Sequence, residues 1–368
     1  KKKKKRKKEK KKTEKEKRRS KVGTEMRIRD SKMYILSILA ISLAGCGESP
    51  HVKNLSDTTL DMEVTRFEQD LFSSTSVDEI LKLSQKHPDF YPVYVNDIIA
   101  ANVQRRGAND TDIAVELYKY ISHRDMDSLY GIVQSHFKDF SSYQTGLEEA
   151  SKYIAYYFPE DSIRNVTTFI STFQYGAVYD QVHTSFGVGL DMYLGSDFEV
   201  YGMLNPENFT LYRIRKFEPY RIVPNCIQTY ADYKVPAHSD TKFIEKAVYE
   251  GKKLYLLDLL LPTAHDSLKI NYTRGQIEWC VDQEENMWKY LVQEDILFSS
   301  DKNQYQKHYF NDGPFTTPFG NDSAPRTGAW IGWQIVRKYM AANPSLTIQD
   351  LLTEKNHQAI FQKSGYRP

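Results

Sequence analysis

The chain has 368 residues, 50 Lys+Arg against 48 Asp+Glu, and three cysteines. Its net charge of +2 is unevenly spread: residues 1–32 carry 19 Lys+Arg and 5 Asp+Glu and residues 33–45 carry no charge, which leaves −12 on the 323 residues from Cys46 onward. An acidic body of that size excludes nucleic-acid binding by a general basic field and is long enough to bury a full hydrophobic core.

Residues 1–32 form a basic tract, and its run of lysines invites a nuclear-targeting or nucleic-acid reading. Its position argues against both. Arg27, Arg29 and Lys32 flank the apolar stretch Met33–Ala44, whose last two residues begin Leu43-Ala44-Gly45-Cys46. A positive flank, a short apolar core and small residues at the cut define a secretory signal peptide over 26–45. The 12 residues Met33–Ala44 span only ~18 Å as a helix, against a bilayer core of ~30 Å. The small-small-Cys ending resembles a bacterial lipobox, which implies cleavage before Cys46 and acylation of its thiol. The tract ahead of the leader is then expected to be upstream sequence, with Met26 or Met33 as the start.

Residues 46–60 are polar and include Pro50, Ser56 and Asp57; they read as a lipidated tether. A single domain is expected over 61–368. Alternation in Met62–Glu68 predicts a strand. Helical periodicity follows at 77–86, 94–104, 112–137 and 145–158, closed by Pro159. The β-branched, aromatic stretch Val166–Phe173, then Ala177–Asp180 and Phe186–Tyr193, predict a small central sheet. After Pro206 helices are expected at 206–216, 219–233, 239–261, 273–298, 325–342 and 345–363. The layout is α+β and predominantly helical.

Catalytic motifs are sparse. The nine histidines include no His-x-x-x-His pair, so the metal motif of helical metalloproteases is absent. There is no Gly-x-Ser-x-Gly elbow and no phosphate-binding or dinucleotide glycine loop. No cofactor is implied. Beyond Cys46, only Cys226 and Cys280 remain; both are read as buried apolar side chains, with a disulfide left open. The densest feature is Pro325–Met340. There Gly328 and Gly332 share a helix face that lets another backbone approach, and Trp330, Trp333 and Arg337 can stack at i, i+3 and i+7. This reads either as a tightly packed core helix or as the wall of a groove or partner surface.

At this point the chain resembles the gliding-motility lipoprotein GldB family of Bacteroidota. The resemblance runs through Arg66–Phe72, Gly187–Gly195 with its Leu-Asp-x-Tyr-Leu-Gly pattern, Tyr249–Tyr255, Leu259–Pro262, Trp288 and Tyr290, Ile331–Arg337, and the C-terminal Ile360–Pro368. That family is also similar to predicted zinc proteases with a zincin-like fold, in which a strand runs beside the helix carrying His-Glu-x-x-His. The corresponding helix here reads Ile222–Asp232, with Asn225 or Gln228 where ligands would stand. The resemblance implies a zincin-like scaffold without its metal. It further implies a role in gliding motility and the linked type IX secretion system.

The expected protein is a non-enzymatic accessory of envelope machinery. It is held through Cys46 by membrane lipid, faces the periplasm with the choice of membrane open, and contacts other envelope or motility proteins. The alternatives are a peptide- or glycan-binding lipoprotein and a divergent peptidase-like hydrolase. Asp191, Gln228, Asp232, Trp330, Trp333 and Arg337 are the candidate groove or partner-surface residues. A convergent ligand set at Asp191, Gln228 and Asp232 would favour the hydrolase.

Overall fold

Alternating segments become strands and periodic segments become helices, largely where the pattern places them. The computed structural model describes residues 51–99 and 109–368, which belong to one unit, His51–Pro368. The basic tract, the signal peptide, Cys46 and the far end of the helix expected over 94–104 lie outside the described residues.

In chain order, β1 (Glu63–Arg66) leads into α1 (Phe67–Phe72) and α2 (Val77–Lys86). Then come α3 (Asp110–Ile121), α4 (Arg124–Phe137), α5 (Ser141–Tyr157), β2 (Asn165–Phe169), β3 (Ala177–Asp180) and β4 (Ser185–Gly189). The C-terminal part holds α6 (Ile222–Lys234), α7 (Phe243–Leu260), α8 (Arg274–Gln293), α9 (Thr327–Ala342), α10 (Ile348–Thr353) and α11 (His357–Ser364). Single turns link several of these. The fold is a mostly helical α+β arrangement with a four-stranded mixed sheet in the order β1-β2-β4-β3. β1, β2 and β4 are parallel, and β3 closes the edge antiparallel to β4, with Val178 opposite Gly187.

Local chemistry sets the helix starts. Ser76 accepts from the Glu79 amide, and Asn109 with Asp112, Thr273 with Gln276 and Thr347 with Asp350 form reciprocal capping boxes. Each cap contributes about 1 kcal/mol by satisfying amides that the helix leaves open. Caps also explain where the expected long helices break. The single helix expected over 112–137 is two, because His123 caps α4 by accepting from the Asp125 amide. The helix over 345–363 splits because Asn356 accepts from the Ala359 amide and starts α11. The helix over 206–216 shrinks to one turn, Leu211–Ile214, because Asn205 holds the chain in a turn through the Glu207 amide. Residues 51–60 contact the rest of the unit: the Lys53 amide donates to Tyr153 Oη at 3.3 Å and Leu60 is buried.

The core centres on α7, in which 13 of 18 residues are buried. A helix apolar on nearly every side belongs inside, and each large apolar side chain there contributes roughly 1.5–3 kcal/mol. Its closest partner is α9. The two backbones approach so tightly that a Cβ on Gly332 would fall on the Ala247 carbonyl, and one on Gly251 would meet the Gly332 carbonyl. Gly332 therefore does what its position on the helix face predicts, and Gly328 lets the Phe310 ring and the Tyr309 carbonyl approach. A second, smaller core around Phe67, Tyr94, Leu117 and Phe169 packs α1–α3 against the sheet. Cys226 and Cys280 are buried and unpaired, and burial pushes both thiols well above their usual range. Among the described residues no helix is long and apolar enough to cross a membrane.

Candidate functional site

A cleft of about 1000 Å³ opens beside the edge strand. One wall is α6, which packs on β3 and β4. Asn225, Gln228 and Asp232, at i, i+3 and i+7, share the face that lines the cleft. Asn225 and Gln228 also line an adjoining recess of about 300 Å³ that reaches Thr229 and Tyr193. Asn225 is held in place by donating to Tyr193 Oη at 3.0 Å.

The opposite wall is the loop Thr172–Tyr175, which leaves the end of β2. Thr172 and Phe173 both take left-handed backbone, φ 58° and 63°, a strained choice for residues with a Cβ. Asp191 supports that strain. It is fully buried and accepts from the Ser171 amide at 2.9 Å, the Phe173 amide at 2.5 Å and Ser171 Oγ at 3.2 Å. From the other side, Tyr94 Oη donates to the Ile170 carbonyl and Tyr120 Oη meets Thr172 Oγ1 at 2.7 Å. Behind the loop, Tyr201 packs edge-on against Phe173 and Phe217. Its hydroxyl donates to the Asp191 carbonyl at 2.7 Å. Phe209 and Phe217 complete an aromatic lining.

Three ion pairs line the cleft. Lys216 donates to Asp312 at 2.8 Å, Lys253 lies 2.9 Å from Asp232, and Arg326 lies 4.0 Å from Glu250. Burial lowers the Lys216 pKa despite Asp312 beside it. For Glu250, burial is outweighed by Lys253 and Lys246, and the carboxyl lies below its usual range. With Arg213, Asn208 and Asn311 nearby, the lining offers amides, an exposed guanidinium and aromatic faces. It is equipped to hold a polar, extended ligand by hydrogen bonds and stacking.

The six expected site residues divide into three groups. Gln228 and Asp232 line the cleft. Asp191 does not face it; it holds the loop that does. Asp191, Gln228 and Asp232, whose convergence would favour the hydrolase, form no open ligand set: Ser171 and Phe173 occupy the Asp191 oxygens and Lys253 pairs with Asp232. Trp330, Trp333 and Arg337 do stack as expected: the indoles meet edge-on at 5.8 Å and the guanidinium lies 3.7 Å over the Trp333 ring. The two indoles lie inside the core, however, with Trp330 2 % and Trp333 0 % exposed, so the groove-wall reading of the tryptophans is overturned. Arg213, Lys216, Arg326 and the 172–175 loop were not singled out from sequence, because they come from separate segments and carry no shared period.

Burial is the largest influence on Asp191. It raises the carboxyl from 3.8 to about 6, against the amides of Phe173 and Ser171. A folded-state pKa above the unfolded one means that the associated stability is fully present below the unfolded value and is lost as pH rises through the folded one. Asp191→Asn is accordingly expected to flatten the stability profile between pH 4 and pH 6, a change of roughly 3 kcal/mol at most across that window. Urea melts of both proteins at several pH values check this, and parallel profiles would contradict it.

The model of the family described as gliding motility protein GldB matches residues 48–368. The chain belongs to the GldB family. The match spans both cleft walls, the α7–α9 pair and the C-terminal helices, so it includes every feature described above. The family is that of a motility protein and not a known enzyme family, and its designation suggests a lipoprotein. No curated protein and no solved structure matches the chain.

Proposed function

We propose that the chain is a lipid-anchored envelope lipoprotein. On this reading it serves gliding motility and the linked type IX secretion machinery without catalysing a reaction, and its cleft holds an extended polar segment, peptide or glycan. Membership of the GldB family supports the motility role. The Leu43–Cys46 signal supports attachment through an acylated Cys46, facing the periplasm.

The observation that carries the binding role is the cleft lining. Its polar groups are amides, paired charges and the Arg213 guanidinium over an aromatic bed. The zincin-like resemblance fits the same geometry. α6 packs on β3 and β4, and on the zincin-like resemblance it corresponds to the helix that carries His-Glu-x-x-His in those proteases. The cleft face of α6 presents Asn225, Gln228 and Asp232 instead. The framework is read as a protease-like cleft whose ligand positions have turned to hydrogen bonding.

The test is a photo-reactive residue at Gln228 in the chain expressed in its own cells. Irradiation is expected to capture envelope proteins or glycan, and deletion of the gene is expected to stop gliding and secretion. No captured species, together with intact gliding and secretion in the deletion strain, would end the proposal.

A further inference from the structure

Away from the cleft, the segment 236–242 and the first turn of α11 bring His238, Asp240 and His357 together. Nδ1 of His238 lies 3.0 Å from Asp240 Oδ1, and Nδ1 of His357 lies 3.4 Å from the same oxygen. One ligand atom from each residue lies within 4.8 Å of the others. The Asp240 and His357 side chains are only 5 % and 3 % exposed, while His238 at 23 % opens to solvent. None of the three lines the cleft.

Charge makes this cluster more than a polar contact. Among the described residues no Lys or Arg pairs with Asp240 within 4.0 Å; its ion-pair partners are the two imidazoles. Lys252, whose ammonium is electrostatically coupled to Asp240, donates to the Glu354 carbonyl at 2.6 Å. A buried carboxylate needs a compensating positive charge, and a bound cation would supply it. With His357 Nδ1–H given to the Glu245 carbonyl at 3.1 Å, its Nε2 is the atom left to bind, and ligand atoms within 4.8 Å of one another need only small side-chain shifts to close on a cation. Metal–ligand bonds of about 2.0–2.1 Å place the ligand atoms of a tetrahedral site ~3.4 Å apart. Two imidazoles and one carboxylate suit borderline first-row ions better than calcium or magnesium, which prefer all-oxygen shells.

We propose that His238, Asp240 and His357 bind a divalent first-row cation of the zinc type, with water completing the shell. The ion fastens α11 to the segment that leads into α7. His357 Nδ1 also lies 3.1 Å from the Glu245 carbonyl in the first turn of α7, so the site stands where three parts of the chain meet. The inference is independent of the cleft's role.

The test titrates the detergent-purified full chain with Zn²⁺, and with Co²⁺ for its visible absorption. The expected result is one ion per chain with Co²⁺ bands of a nitrogen/oxygen site. His238→Ala, a change in a partly exposed segment, and Asp240→Asn are each expected to weaken binding by at least ~100-fold, above the range that outer-shell changes produce. The exposed His123→Ala is expected to leave binding unchanged. Circular dichroism of the His238→Ala protein confirms that it is folded. No binding below millimolar metal would overturn the site, as would one-ion binding that survives both His238→Ala and His357→Gln.

Discussion

Asp258→Ala is expected to destabilise the protein by about 3–5 kcal/mol, the usual cost of stripping one partner from a buried ionic group. Asp258 is nearly inaccessible. It accepts from Trp333 Nε1 at 2.9 Å, Arg337 Nε at 2.7 Å, Arg337 Nη2 at 2.7 Å and Lys269 Nζ at 2.8 Å. Asp266 takes the other side of the Arg337 fork at 2.8 Å and 3.0 Å. Two acids thus balance two bases. Burial lowers the Arg337 pKa, but its bonds to Asp258 and Asp266 more than reverse this and raise it. For Asp266, burial raises the carboxyl and Arg337 outweighs that effect, so it lies below its usual range.

Removing Asp258 leaves two cations facing one acid and strands the Trp333 N–H. The Asp258→Leu, Arg337→Leu double variant is expected to lose much less than the two single changes added together, because it removes charge in pairs. A double-mutant cycle by urea denaturation reads this directly. Additive losses would show that the network does not act as a unit.

Gly332→Val is expected to cost about 3 kcal/mol or more, through a different mechanism. The α7–α9 contact is backbone against backbone, and the obstructing atom is the Ala247 carbonyl rather than a flexible side chain. No rotamer relieves that clash, so the helices must part and their buried faces lose contact. Gly131 is the matched comparison. It lies within α4 with nothing within 4 Å of its absent Cβ. Gly131→Ala is expected to stabilise by about 0.5–1 kcal/mol through helix propensity and a less flexible unfolded chain. Thermal and urea melts of the two glycine variants should therefore move in opposite directions. A mild effect of Gly332→Val would mean that the helices are less closely apposed than described.

The glycine spacing and the Trp330–Trp333–Arg337 strip were legible because helical period is a local property of sequence. Burial was not legible: the strip reads equally as a groove wall or as a core face until Asp258, 75 and 79 residues away from its two partners, is brought beside it. The same limit explains Asp191. Its strand signature marks a constrained position, yet only the path of the 171–175 loop shows that it serves the cleft from behind. The sheet strands and most helices followed from alternation and period, whereas the helix breaks at His123 and Asn356 came from caps that a periodic reading runs through. Gln228 and Asp232 were found because they lie on one helix with a resemblance to guide the eye. Arg213, Arg326 and the aromatic lining belong to separate segments and required the fold.

The central claim is that an anchored protein works through its cleft by binding. It is tested most directly by complementing deletion cells with a Gln228→Trp, Asn225→Leu variant, which fills the α6 face of the cleft while leaving Asp191 and the α7–α9 core untouched. With the variant present at wild-type level and still membrane-bound, gliding and type IX secretion are predicted to fall to the level of the deletion strain. Full gliding and secretion from cells carrying this blocked cleft would contradict the account.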